Sequence, residues 1–372
     1  MKLNHIYKSI ACGVLLAMTA TSCDLDYNPV DTYSDVTEGV NKTDEKPIFN
    51  SVQDVETSMV TLHKKFRDQQ EHWYVDKLLI GDAHSDNAYA GTTGAEVVPY
   101  ETNSIEGSNS VLKRDWDRFL GDIAVANRII VGCDQLKALS ESERGKYQSQ
   151  AKIFRAMVMF DMVRLWGNFP VITTVGGDIT EDNVEEMYPT YFPPQNTAEE
   201  AYAQIEKDLT EAVENPNTPT NDTSDKSILT KSVARAMLAK VYAEKPLRDY
   251  AKVIKYADEL AADGFDLVED FSDLWAYDTE KKDCRVRNTK EAILEAHFPP
   301  GSGNWCTWMF GRNLSNWDES FTWAKWITPS RDLIRLYEEQ GDTKRYNESV
   351  VWYDCGWSNY YPADHYAFMY KC

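Results

Sequence analysis

AKIFRAMVMFDMVRLWGNFPVIT, residues 151–173, is the stretch that decides the fold. Upstream of it, Ser140 followed by Glu143 forms a capping box, in which a hydroxyl and a carboxylate satisfy free N–H groups at a helix start. From there the pattern runs through Phe154, Val158 and Met162 to Trp166, then meets Gly167 and Pro170, which stop a helix. The segment is apolar nearly all the way round. A helix of that kind needs neighbours on every side, so it is expected at the centre of the core. Arg155, Asp161 and Arg164 interrupt the apolar surface and are expected to be paired inside it.

Further helices flank this one. Val55, Met59, Leu62 and Phe66 recur at spacings of 4, 3 and 4, one face of a helix, and Trp116, Leu120, Ile123, Asn127 and Ile130 do the same. Asn127 lies on an apolar stripe, so it is expected as a buried capping group with its hydrogen bonds met internally. Thr197 with Glu200 is a second capping box, ahead of Tyr202, Ile205, Leu209 and Val213. Helical segments follow near 229–244 and 248–263, and Thr328 with Pro329 is expected to open a last helix that ends at Gly341. Helices paired through short turns predict a mainly α fold. The expected form is a degenerate tetratricopeptide-like array of helical pairs, because no strict 34-residue consensus is present. Phe169–Thr174 and Ala292–Phe298 are expected as short peripheral strands. Long polar connections remain at 86–110, 174–196, 214–228 and 300–327. Loops of such length in a compact domain are usually functional.

The N-terminus carries a targeting signal. Lys2 and Lys8, an apolar run from Ile10 to Ala20 and the small residues before Cys23 make a secretory leader, too short to span a membrane. A Cys directly after the cut predicts lipidation of Cys23, although Ala20 stands where Leu is commonest in such signals. The expected organisation is a leader at 1–22, a lipidated tether at 23–50 and a helical domain over 51–372. A loop-rich subdomain is expected from about 265 to 372. Removal of the leader takes the net charge from −21 to −23, which disfavours nucleic acid and anionic membrane surfaces. The cysteines Cys133, Cys284, Cys306, Cys355 and Cys372 form no C-x-x-C and have no His at zinc spacing. Free buried thiols are expected, with at most one disulfide. No cofactor or metal is expected, since there is no P-loop, nucleophile elbow or dinucleotide fingerprint.

The chemistry concentrates in 300–327. Trp305, Trp308, Trp317, Trp323 and Trp326 are five of the eleven tryptophans, interleaved with Arg312, Asn313, Asn316, Asp318 and several glycines. An indole face is flat and apolar with a polar N–H at its edge. Sugar rings offer C–H patches to stack on it and a rim of hydroxyls for Asn, Asp and Arg. The expected ligand-binding residues are Trp305, Trp308, Arg312, Asn316, Trp317 and Trp323. Asn87, Tyr89 and Tyr100 are expected to join them from the 86–110 connection. Any one of these tryptophans alone would as readily be core or protein interface. Trp73 is left open between core and site.

At this point the residues match a family. Cys23 is followed by an acidic stretch with Pro29, and WDRFLGDIAVAN (116–127) resembles a Trp-to-Ala-Asn helix of the SusD-like (RagB/SusD) outer-membrane lipoproteins. The 151–173 stretch resembles that family's Arg-Ala helix ending in Gly-x-x-Pro. IEKDLTEAV (205–213), TKSVARAMLAKVYAEK (230–245), NTKEAILEAHF (288–298) and TPSRDLIRLYEEQGDTKR (328–345) resemble later landmarks in the same order. Departures are Pro216 and Pro219 after one helix and Glu-Lys-Pro after another. The chain also stops at Lys371–Cys372, where the family runs on into a last helical hairpin, so the family's C-terminal part is expected to be missing.

The resemblance implies a non-catalytic glycan-binding protein. It would sit lipid-anchored and surface-exposed on the outer membrane and hand oligosaccharides to a SusC-like TonB-dependent transporter, as in polysaccharide utilisation. Two alternatives stand beside it. One keeps the same role with peptides or another nutrient as cargo. The other is a helical glycoside hydrolase using carboxylates such as Asp318 and Glu319.

Overall fold

A computed structural model describes residues 47–90, 95–177, 183–244, 246–275, 277–278, 280–281, 283–299, 327–353 and 366–369. The chain divides into two units, Met1–Pro47 and Ile48–Cys372, and the first lies outside the described residues apart from Pro47. Within the second, the long helices are α1 (Val52–Asp68), α3 (Ser110–Gln135), α4 (Glu141–Trp166), α6 (Ala198–Glu214), α7 (Lys231–Ala243) and α8 (Tyr250–Ala262). Shorter ones are α2 (Val98–Glu101), α5 (Val184–Tyr191), α9 (Arg331–Gln340) and α10 (Thr343–Ser349). Between α1 and α2 the chain winds through π-helical turns at Glu71–Val75 and Leu79–Ala83, with one α turn, Asp76–Leu78, between them.

The 151–173 stretch behaves as expected. Both halves of the Ser140–Glu143 capping box form, and α4 ends at Gly167, whose φ of +72° suits a residue without a Cβ. Residues from Ser149 to Val163 are almost all buried, and α4 packs against α1, α3, α6 and α7 at once. α6 also packs on α7, and α7 on α8, so the helices continue outward in sequential pairs. The Thr197–Glu200 box forms as well. Phe49 is seated over Gly132 of α3, where a Cβ would come within 2.4 Å of its ring, and Ile48 N–H donates to Gln135 Oε1 at 3.1 Å.

Polar groups inside this core are paired. Arg155 makes a two-pronged ion pair with Asp208 of α6, at 2.8 and 2.7 Å, and its Nη1 donates to Asn127 Oδ1 at 2.7 Å. Asn127 Nδ2 in turn donates to the carbonyls of Ile172 and Thr174, at 2.9 and 3.2 Å. Asn127 is therefore the buried cap that its position on the apolar stripe implied. Asp161 pairs with Lys77 at the margin of the core, whereas Arg164, expected inside it, is exposed at the last turn of α4 and pairs with Glu244 on the surface at 3.1 Å. Trp73 is core: it is buried, packs on Phe119 and Phe154, and its indole N–H donates to Asp122 Oδ2 at 3.1 Å.

Asp122 also takes His72 Nε2 on Oδ2 at 2.9 Å and has Lys65 Nζ 3.7 Å from Oδ1, so α1 and the Glu71–Val75 turn both hang on one carboxylate of α3. Asp122→Asn replaces a pure acceptor by a group that presents N–H to these donors. It is expected to lower stability by about 1–3 kcal/mol, read as a shift in the urea midpoint.

Several expectations fail for identifiable reasons. Phe169–Thr174 forms only one bridge, Phe169 with Asn196, because the Asn127 and Asn196 side chains take up its next backbone groups. Ala292–Phe298 is irregular: Glu295 N–H donates to the Lys226 carbonyl, and its carboxylate accepts from Asn288 N–H. The 86–110 connection holds β1 (Ala88–Ala90) and α2, and 174–196 holds α5. Thr328 and Pro329 do not open the last helix; they belong to β4 (Ile327–Pro329), and Ser330 caps α9, which ends at the left-handed Gly341 as expected. The remaining strands are β2 (Tyr277–Asp278), paired with β3 (Asp283–Cys284), and β5 (Val350–Tyr353), paired with β6 (Tyr366–Met369). Cys133 is a buried free thiol and Cys284 an exposed one. Among the described residues no helix is long and apolar enough to cross a membrane.

Candidate functional site

Ile327, the last residue of the 300–327 connection, lies in one small sheet with part of the 86–110 connection. β1 pairs antiparallel with β4, placing Tyr89 opposite Thr328 and Ala90 opposite Ile327. Trp326, the last residue of the tryptophan-rich segment, directly precedes Ile327 in sequence. A clasp beyond the strands fixes the register. Ser330 N–H donates to the Asn87 carbonyl at 2.9 Å, its hydroxyl donates to the Asp86 carbonyl at 2.5 Å, and Arg331 N–H donates to the Tyr89 hydroxyl at 3.3 Å. Ser330 thus caps α9 and closes a link across 244 residues with one side chain. Nothing in the local sequence marks it, because its partners are backbone carbonyls.

Asn87 is exposed, and its side chain bonds to Asp82, whose carboxyl is pushed up by burial. Tyr89 is half-buried beside the N-terminus of α9. Tyr100 does not join them. Its ring is fully buried in a second, smaller core with Val75, Leu79, Ala90, Val97 and Ile327, and its hydroxyl reaches Asn109 Oδ1 at 3.4 Å. The expectation that Tyr100 offers a ligand surface is corrected; Val97, three positions back, is buried in the same cluster, so the ring turns inward with it. Trp305, Trp308, Arg312, Asn316, Trp317 and Trp323 lie outside the described residues, as does Cys23.

A set of buried and half-buried charges adjoins the smaller core in sequence. Asp76 pairs with Arg114, Arg118 Nη1 lies 2.8 Å from Glu71 Oε2, and Asp115 Oδ1 is 3.6 Å from Arg114 Nε. Asp76 and Asp115 are both wholly buried and adjoin each other, and one oxygen of each has no hydrogen-bond partner. Burial first, then the Asp76 charge, pushes the Asp115 carboxyl well above the usual range.

A separate open recess of about 650 Å³ lies between α1, α4 and the 219–228 segment, lined by Met59, His63, Tyr147, Gln150 and Asn221. Three of its polar side chains are already engaged: Gln150 bonds to the Lys146 carbonyl and to His63, and Asn221 to the Asp263 carbonyl and to Lys226. Among the described residues no group of three or more His, Cys, Asp or Glu is placed to hold a metal ion.

A family model for SusD-like proteins, described as starch-binding and associating with the outer membrane, matches residues 32–243. The chain belongs to the SusD-like family. A SusD-like protein of Bacteroides ovatus is 25% identical over 309 residues, covering 80% of this chain and 50% of that protein. The chain therefore spans half the length of this curated SusD-like relative. A crystal structure of a SusD superfamily protein from Bacteroides thetaiotaomicron superposes with a TM-score of 0.66 at 18% identity, covering 85% of this chain and 69% of the other. A laminarin-binding SusD-like protein superposes at 0.63 and 18% identity, covering 87% and 72%. These superpositions establish the SusD-like helical fold, with the expected order of helical pairs.

Proposed function

We propose that this SusD-like chain is a non-catalytic glycan-binding lipoprotein. It would be anchored in the outer membrane through Cys23, exposed at the cell surface, and pass oligosaccharides to a SusC-like TonB-dependent transporter. The observation that supports this surface is the β1–β4 pairing, which joins the strand carrying Tyr89 to Ile327, the residue that follows the tryptophan-rich segment in sequence. On this reading Trp305, Trp308, Trp317 and Trp323 supply stacking faces, and Arg312, Asn316 and Asn87 bond the hydroxyl rim. The family's starch-binding description and the laminarin-binding neighbour support carbohydrate as the cargo. The net charge of −21 favours an uncharged glycan over an anionic one.

Trp308→Ala and Trp317→Ala are each expected to weaken binding of the retained glycan by about 1 kcal/mol or more, measured by titration calorimetry on the lipid-free chain. Unchanged affinity in a folded variant removes that residue from the surface.

A further inference from the structure

Two hydrophobic cores lie within the described residues, and their polar groups are met differently. In the larger core Arg155, Asp208 and Asn127 are paired. The smaller is built on Val75, Leu79, Ala90, Val97, Tyr100 and Ile327. Beside it Asp76 Oδ1, Asp115 Oδ1 and Arg114 Nε are buried without a hydrogen-bond partner, and so is Thr328 Oγ1 of β4. Buried polar atoms left unmet cost stability, which puts the smaller core at the weaker end of the fold.

Its elements are also short. The chain enters through two π-helical turns, which interrupt the α-helical hydrogen-bond ladder on either side of Asp76–Leu78. β1 and β4 have three residues each and form a two-stranded sheet, an arrangement that is marginal without outside support.

That support comes from a carboxyl pair. Asp76 and Asp115 lie within hydrogen-bonding reach of each other, and two carboxyl groups can bond only if one carries a proton. Around them stand Glu71 from the first π-helical turn, Arg114 and Arg118 from α3, and the Tyr100 hydroxyl from α2. Three carboxyl groups thus face two guanidinium groups. Arg118 goes to Glu71 and Arg114 to Asp76, while Asp115 Oδ1 is left 3.6 Å from Arg114 Nε. Burial, then the Asp76 charge, keeps the proton on Asp115. A protonated Asp115 donates to Asp76 and ties α3 to the turn between the two π-helical segments.

We propose that the smaller core is a separately opening unit, latched to α3 by the Asp76–Asp115 carboxyl pair, and that it opens more readily as pH rises. Opening takes the β1–β4 sheet apart, since Ala88, Ala90 and Ile327 belong to this core. This holds whatever the chain binds. Asp115 keeps its proton in the closed unit and gives it to water on opening, where an exposed Asp titrates near 3.9. Release of one proton raises the opening constant by up to about tenfold per pH unit, between about pH 4 and the folded value of about 9.

Hydrogen-exchange mass spectrometry of the lipid-free chain between pH 6 and 8 tests this, with rates corrected for the base-catalysed exchange of a free peptide. The wild type is compared with Asp115→Asn and with Asp76→Asn, which lets Asp115 ionise beside Arg114. Asp117→Asn, an exposed carboxylate on the same helix, is the control. Thermal melts check that each variant is folded. In the wild type, peptides within 79–90 and 97–105 are expected to exchange at least about tenfold faster than 153–163 of α4. Their corrected rates are expected to rise about five- to tenfold per pH unit in the wild type and Asp117→Asn, and less than about twofold in the other two variants. Equal rates in the smaller core and in α4 mean one cooperative unit and overturn the proposal. So does a rise with pH that persists in Asp115→Asn, or in Asp76→Asn where Asp115→Asn does not fold.

Discussion

Arg155→Ala is expected to lower the stability of the chain by about 3–5 kcal/mol, the cost of leaving a buried carboxylate without its partner. Arg155 and Asp208 are both buried and doubly bonded, and Gln204 Nε2 holds Asp208 Oδ1 at 2.9 Å. The same guanidinium holds Asn127, which in turn holds the chain after α4. One deletion therefore loosens α3, α4, α6 and the 172–174 segment together. Replacing both partners, Arg155→Met with Asp208→Leu, leaves no orphan charge and is expected to recover more than half of the loss. Urea midpoints of the two variants at neutral pH check this. Equal losses in the single and double variants would mean that the ion pair itself stabilises, and that the orphan charge is not the source of the cost.

Stability is also expected to fall as pH rises, through Asp115. Its folded pKa is pushed up to about 9, whereas an unfolded Asp titrates near 3.9. The fold thus holds a proton that the unfolded chain releases. The contribution is fully present below about pH 4 and is lost as pH rises through about 9. A whole proton taken up corresponds to as much as about 1.4 kcal/mol per pH unit within that window. Asp115→Asn keeps the shape and a donor toward Asp76 without a titrating group. The urea midpoint of the wild type is expected to decline between pH 5 and 9, and that of Asp115→Asn to stay nearly level. Parallel declines would remove Asp115 as the cause.

Much of the helical array was legible in local patterns. The Ser140–Glu143 and Thr197–Glu200 boxes, the Gly167 and Gly341 stops and the all-round apolar surface of α4 are each short-range or periodic signals. Internal pairing of Arg155 and Asp161 followed from charge in an apolar context, though the partners Asp208 and Lys77 did not. What stayed hidden depends on contacts far apart in the chain. Ser330 caps α9 in place of the expected Thr328 because β4 is claimed by β1, 239 positions back in register. Tyr100 read as a loop aromatic and proved to be core, since burial of an isolated ring is decided by tertiary packing. Asp76 and Asp115 are 39 positions apart and carry no spacing that announces their meeting. Of the candidate site, the aromatic and polar composition of the 300–327 connection was legible from chemistry alone. The β1–β4 register that joins its last residue to the 86–110 connection was not.

The measurement that bears most directly on function is affinity electrophoresis of the purified lipid-free chain across a panel of polysaccharides, with analysis of released sugars in parallel. Retardation on at least one glycan with no products released is the result expected of a non-catalytic binder. Released oligosaccharides, or a folded chain that no glycan retards, would contradict it.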